Sequence, residues 1–171
     1  MARAVDEVTI RRARQADAAA MADYMAALMA ERLDTITRRE PPTVEDERDW
    51  VIQAEMAERG AILLALEGET VVGMLDLWAG DRPETRHAGQ FGMSVAKAWR
   101  RHGVGRKLLV RAIEEARAWP GFRRLELECA PWNTGAIALY ESLGFALEAR
   151  MRYAMNLRGQ PEDMLLMALT W

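Results

Sequence analysis

Two hydrophobic rhythms alternate along the chain. "VTIRRA", Val8 to Ala13, alternates apolar and polar positions and carries β-branched residues, which predicts a first strand. The period then changes: Met21, Tyr24, Met25, Leu28, Met29 and Leu33 recur at helical spacing behind Asp17, a residue type that caps helices. This methionine-rich stripe reads as core packing. The two prolines of "TRREPPTVED", Thr37 to Asp46, separate two helices rather than two domains. Thr43 caps the second helix, and Glu45, Asp46 and Glu47 fall in its first turn, where carboxylates suit the helix dipole.

The next stretch, "AILLALEGETVVGMLDLWAG", predicts a hairpin from about Ala61 to Trp78 that turns at Glu67-Gly68-Glu69. After the loop "DRPETRH", a third strand runs from about Ala88 to Val95. From Gly103 to Trp119 the positions Val104, Leu108, Leu109, Ala112, Ile113 and Ala116 mark one apolar helix face. "RRLELECA" alternates as a strand, "NTGAIALYESLG" predicts a helix ended by Gly144, and two strand-like runs flank "GQPEDM". The order β-α-α-β-β-β-α-β-α-β-β predicts an α/β protein with an antiparallel tail, in one domain over 1–171.

Composition narrows the function classes. Half of the 171 residues are apolar, enough for a core without staples or metals. A net charge of -3 argues against wrapping nucleic acid, which leaves a basic footprint. The lone Cys129 has no internal disulfide partner and joins no Cys/His metal set, which points to a reducing, cytoplasmic setting. The first residues do not read as a signal peptide, and no run reaches the roughly 20 apolar residues of a membrane helix.

Against that acidic balance, "AWRRHGVGRKLL", Ala98 to Leu109, crowds basic residues around two glycines at a strand-to-helix junction. Backbone N–H groups at a helix start have no partner within the helix and bind phosphate. Gly103 and Gly105 let a ligand approach the backbone, while Arg100, Arg101 and Arg106 add charge that a pyrophosphate favours. The alternative is a solvated basic helix start, but cations there oppose the dipole. The spacing is neither a Walker loop nor a dinucleotide fingerprint. Downstream, "CAPWNTGAIALYESLGF", Cys129 to Phe145, places Asn133 at a helix start and Tyr140 two turns later on roughly one face. Asn133 as a simple cap and Tyr140 as a core aromatic stand beside any ligand role.

The pair R-x-x-G-x-G at Arg100 to Gly105 and N-x-x-A-x-x-L-Y-x-x-x-G-F at Asn133 to Phe145 resembles the GNAT superfamily of acyl-CoA-dependent N-acyltransferases. The tail "GFALEARMRYAMNLRGQPEDMLLMAL" resembles the branch containing bacterial amino-acid, polyamine and ribosomal-protein N-acetyltransferases. The resemblance implies a mixed central sheet of about six to seven strands with about four flanking helices and two splayed central parallel strands. Those strands are about Gln90 to Val95 and Arg124 to Cys129, and their gap would be the cleft for acetyl-CoA. It implies that the loop of Arg100, Arg101, His102, Gly103, Val104, Gly105, Arg106 and Lys107 holds the pyrophosphate, chiefly through amides of Arg101 to Lys107. Met93 and Val95 would pair with the pantetheine arm, Asn133 would contact it, and the Val95 N–H would polarise the thioester carbonyl. Tyr140 matches the family's general acid. It implies a small-molecule amine as partner, an amino acid or analogue being favoured over a polyamine, an aminoglycoside or a ribosomal-protein N-terminus. It also implies homodimerisation through C-terminal strands, for which "MLLMALTW" is apolar enough.

The base is open. Glu126 and Glu128 share one face of their strand, and Glu128 lies nearer the cleft. Glu126, His87 and an ordered water are the alternatives. Three departures from the family pattern matter: Arg101 where a glycine is common, Pro131-Trp132 before Asn133, and Ala149 in place of glycine. Glu45, Asp46, Glu47 and Asp49 offer an acidic pocket for a polyamine, or simply a solvated face. A non-catalytic acyl-CoA-binding module would share the same fold.

Overall fold

The computed structural model describes residues 5–33, 40–157 and 159–171. One seven-stranded sheet carries the strands β1 (Val8–Arg12), β2 (Gly60–Glu67), β3 (Thr70–Ala79), β4 (Ala88–Val95), β5 (Arg124–Cys129), β6 (Ala146–Leu157) and β7 (Gln160–Thr170). Among the described residues four α-helices cover it: α1 (Ala18–Ala30), α2 (Val44–Met56), α3 (Val104–Ala118) and α4 (Thr134–Ser142). The spatial order is β1-β2-β3-β4-β5-β7-β6, and the element order matches the expected α/β alternation.

β2 shows no alternation because Ala61 to Leu66 are all buried, with helices on both faces of the sheet. On one face α3 packs Leu108, Leu109 and Ala112 against Leu63, Leu75 and Leu125. On the other, Met21, Tyr24 and Leu28 of α1 and Val51 of α2 meet Ile62 and Leu64. The stripe is therefore core at Met21, Tyr24 and Leu28, while Met25, Met29 and Leu33 are half-buried.

The feature that creates a site is a failed pairing. β4 and β5 run parallel but pair only over Ala88–Gln90 against Arg124–Glu126. Beyond that point β5 stays paired with β7 as far as Cys129 and Leu165, while β4 stays paired with β3 as far as Val95 and Gly73. A wedge opens between the last residues of β4 and β5, as the splayed-strand expectation requires.

Three local expectations change. Asp17 does not cap α1: a 3-10 turn (Gln15–Asp17) precedes the helix, and the carboxylate accepts the Arg14 amide (2.7 Å) and the Arg11 guanidinium (2.7 and 2.8 Å). A carboxylate can close a turn behind it as readily as open a helix ahead of it. Asn133 stands at the N-cap of α4, but its side chain makes no capping bond. The "MLLMALTW" segment is covered by its own sheet, since β7 lies between β5 and β6 and buries Met164, Met167 and Ala168. Of "TRREPPTVED", 37–39 lie outside the described residues; from Glu40 the chain leads directly to Thr43 at the start of α2.

Candidate active site

The wedge is a cavity of about 1090 Å³ lined from β4, β5, α1, α3, α4 and the β6-β7 hairpin. Its β4 wall carries exposed peptide groups. Ala96 donates its amide to Val72 of β3 (2.9 Å), so Val95 turns its own N–H and C=O the other way, into the gap. Met93 has the same parity as Val95 and also lines the cavity.

At the mouth, α3 begins behind a loop that two residues bend through positive φ: Gly103 at 86° and Arg101 at 63°. The glycine common at the Arg101 position in the family would meet that left-handed backbone without strain. Lys107 is the first residue of α3 whose amide is satisfied within the helix, donating to the Gly103 carbonyl at 3.0 Å. The amides of Val104, Gly105 and Arg106 precede that first bond, leaving an N-terminal anion cradle. Gly105 faces Met93 and Leu139, and a Cβ there would sit 3.4 Å from the Leu139 Cδ2 and 3.5 Å from the Met93 Cε, filling space beside the cradle. The residues present thus fit an extended diphosphate-bearing thioester.

The loop's side chains divide differently from the expected roster. The Lys107 amide closes the helix, and its ammonium donates to the Val5 carbonyl at 2.6 Å. Arg106 donates to the Ser142 hydroxyl (2.9 Å), tying α3 to α4. Arg100 is turned inward onto Val95 and Glu31. The His102 ring Nδ1–H donates to the Arg100 carbonyl at 2.8 Å, a contact within the loop. Arg101 lines the mouth, is exposed, and has no side-chain partner among the described residues.

Across the wedge, α4 presents Asn133 and Tyr140, both on the cavity wall. Tyr140 packs edge-on against Phe91 (5.9 Å between ring centroids) and near Phe145 (6.0 Å). Its hydroxyl has no hydrogen-bond partner among the described residues, and burial pushes its pKa up to about 12, with Cys129 adding to the rise. The same burial raises the Cys129 thiol.

The candidate bases separate cleanly. Glu126 is committed to Gln90 (3.0 Å) and Arg124 (2.7 Å), and Arg124 also grips Glu148. His87 is exposed just before β4, about 26 Å of strand from Val95 at 3.3 Å per residue. Glu128 is exposed at the cleft end of β5, lines the cavity, and has no side-chain partner among the described residues.

One stretch of the cavity wall is apolar, with Leu28 and Leu33 from α1 and its exit, and Met155, Leu157 and Met164 from the β6-β7 hairpin. Arg32 joins it from just past α1, at φ 53°. Trp132, about half exposed, forms part of the rim. The α2 carboxylates do not contribute: Glu45 pairs with Arg48, Asp46 closes a capping box with Thr43, Glu47 is buried, and none of the four lines the wedge. Ala149 falls at an irregularity in the β6 register, between Leu147 and Ala149. Arg32 and the hairpin methionines carried no signal in the sequence, because each reaches the site from a distant element.

The chain matches the acetyltransferase (GNAT) family over residues 25–145. It is 32% identical over 123 residues to the L-amino acid N-acetyltransferase AaaT of Escherichia coli K12, covering 70% of this chain and 75% of that protein. A GNAT-family acetyltransferase from Streptococcus pneumoniae superimposes with a TM-score of 0.90 at 26% identity, covering 96% of this chain and 99% of that one. The Salmonella typhimurium protein yncA, solved with its cofactor acetyl-CoA, superimposes at 0.85 with 26% identity, covering 95% and 93%.

Proposed function

The chain belongs to the acetyltransferase (GNAT) family, and from that premise we propose that it acetylates the amino group of a free amino acid or close analogue within the β4–β5 wedge. It is an acyltransferase, and its acyl donor is acetyl-CoA. Bound there, acetyl-CoA supplies an activated acetyl group and a thiol leaving group.

The chain's residues supply the rest. The amides of Val104, Gly105 and Arg106 receive the diphosphate, and Arg101 adds charge at the mouth. The Met93 peptide groups and the Asn133 side chain hold the arm, with the Val95 N–H, beside its Arg100-bound carbonyl, aimed at the thioester carbonyl. Glu128 takes a proton from the acceptor's ammonium, directly or through a water, since an alkyl amine is mostly protonated at neutral pH. Tyr140 gives a proton to the departing sulfur. The observation that carries this reading is the Tyr140 hydroxyl, held protonated by burial and facing the wedge without a protein partner among the described residues. The burial that strengthens its hold on the proton also makes a thiolate beside it more basic, as it does Cys129, so the donor and acceptor move together.

An amino acid suits the acceptor half because Arg32 offers a cation for a carboxylate beside an apolar pocket. Initial rates of thiol release from acetyl-CoA test this with free amino acids, their methyl esters, a peptide beginning with alanine, and spermidine. Free amino acids should give the highest kcat/KM and their esters much less; a peptide or spermidine outrunning them would reassign the acceptor.

A homodimer along the β6 edge is part of the same proposal, since Leu147 (57% exposed) and Tyr153 (74%) stand open there. Light scattering should give about twice 19.3 kDa. The proposal extends to a cytoplasmic setting, with which the lone, buried Cys129 is in keeping.

A further inference from the structure

Arg100 opens the glycine loop, yet both ends of its guanidinium are engaged inside the protein. Its Nε donates to the Val95 carbonyl at 2.9 Å, and a terminal nitrogen donates to the Glu31 carboxylate at 2.6 Å. Glu31 is the C-cap residue of α1, and its other oxygen accepts the Lys97 amide at 3.4 Å. One residue earlier on β4, the Tyr24 hydroxyl of α1 donates to the Ser94 hydroxyl at 2.9 Å. Helix α1 therefore grips the last two residues of β4, Ser94 through Tyr24 and Val95 through the Glu31–Arg100 pair.

Those two residues end the strand along the wedge, where no neighbouring strand pairs with Val95 on the β5 side. The peptide plane that carries the Val95 carbonyl is held on one edge by β3, through the Ala96 N–H, and on the β5 side, where no strand pairs, Arg100 holds the other edge. Fixing that carbonyl fixes the residue's ψ, and with it the line along which its N–H points.

We infer that Arg100 is a positioning residue of the thioester site, locking the Val95 peptide and itself locked by Glu31, and is not a phosphate ligand. The inference rests on the proposed acetyl transfer and gives α1 a second role, in which the helix that lines the acceptor half also sets the geometry of the donor half. Arg100 and Glu31 are a third or less exposed, so the pair is shielded in part from competing water.

The test compares Arg100→Gln and Glu31→Ala using acetyl-CoA and S-acetylpantetheine, a donor with neither the diphosphate nor the nucleotide. Both variants should lose about tenfold in kcat with either donor, the scale of a small misplacement at a reacting centre, with coenzyme A affinity by calorimetry unchanged. A loss confined to acetyl-CoA, accompanied by weaker coenzyme A binding in Arg100→Gln, would make Arg100 a phosphate ligand and overturn the inference. Wild-type rates in both variants would overturn it equally. Amide hydrogen exchange in the protein without donor gives a readout independent of turnover: exchange at Ser94 to Ala96 should quicken in Glu31→Ala, and an unchanged rate contradicts the lock. If Arg100→Gln does not fold, Glu31→Ala carries both measurements. Absence of thiol release in the wild type would sink the acetyl-transfer reading, while the exchange result would still decide the lock.

Discussion

Lys107 donates its ammonium to the Val5 carbonyl at 2.6 Å, so the last basic residue of the glycine loop is tied to the 3-10 turn Val5–Glu7 that precedes β1. An anion arriving at α3 meets amides and the exposed Arg101 before any lysine. Lys107→Met should cost about 2 kcal/mol of stability, the scale of one hydrogen bond from a charged group, with coenzyme A affinity unchanged. Urea unfolding and calorimetry check the two halves of that statement; a large loss of affinity would return Lys107 to the phosphate site.

The cradle depends on backbone shape. Gly103 sits at φ 86°, in the left-handed region. Gly103→Ala should destabilise the protein by about 1–2 kcal/mol, the usual cost for an L-residue there, and should weaken coenzyme A binding by disturbing the first free amides of α3. Unaltered affinity would show that the diphosphate is held elsewhere.

Removing the buried phenol isolates the acid step. Tyr140→Phe should lower kcat about 100-fold, near the low end for a general acid, while the KM for acetyl-CoA stays close to wild type. Unchanged turnover would take Tyr140 out of the acid role. Because Tyr140 is held protonated to about pH 12, the wild-type rate should show no fall from this group as pH rises to about 10.

Two buried tyrosines predict a loss of stability at alkaline pH. Tyr24 and Tyr140 are each raised to about 12 by burial, above the ordinary tyrosine value of about 10. A raised folded-state pKa means that their contribution is complete below the ordinary value and is lost as pH climbs from there through about 12. Urea midpoints should therefore hold to about pH 10 and then drop, and Tyr24→Phe should flatten that drop. A decline equally steep in the variant would place its origin in other groups.

Glu128 is tested by pH. Glu128→Gln should lower kcat/KM most at neutral pH, where the acceptor amine is protonated, and the deficit should shrink as alkaline pH deprotonates the amine without help. A deficit constant across the range would assign Glu128 to binding.

Much of the fold was legible because its cues are local. β4 spans Ala88–Val95 as read, and the buried face of α3 is the set of six positions that its spacing marked. The halves of the site were legible too: Gly103, Gly105, Asn133 and Tyr140 converge on one cavity. What the sequence hid is the use of charge. Arg100 and Glu31 are 69 positions apart, and Tyr24 and Ser94 are 70 apart, so no local pattern joins them. Glu126 has Arg124 two positions before it on the same face of β5, a local pairing, whereas the placement of Glu128 on the cavity wall comes from the splay of β4 and β5. The acidic start of α2 looked available for a cationic ligand, but Glu45 pairs with Arg48, Asp46 caps the helix, Glu47 is buried, and none of them nor the exposed Asp49 lines the wedge.

The most direct measurement is a stoichiometric one: enzyme charged with acetyl-CoA is mixed with an amino acid, and free thiol and N-acetylated product are followed together. Acetyl transfer in the wedge predicts that both appear one for one, and that both slow by the same factor in Tyr140→Phe. Tight binding of acetyl-CoA with no thiol released to any amine would contradict it, and would make the wedge a binding site without chemistry.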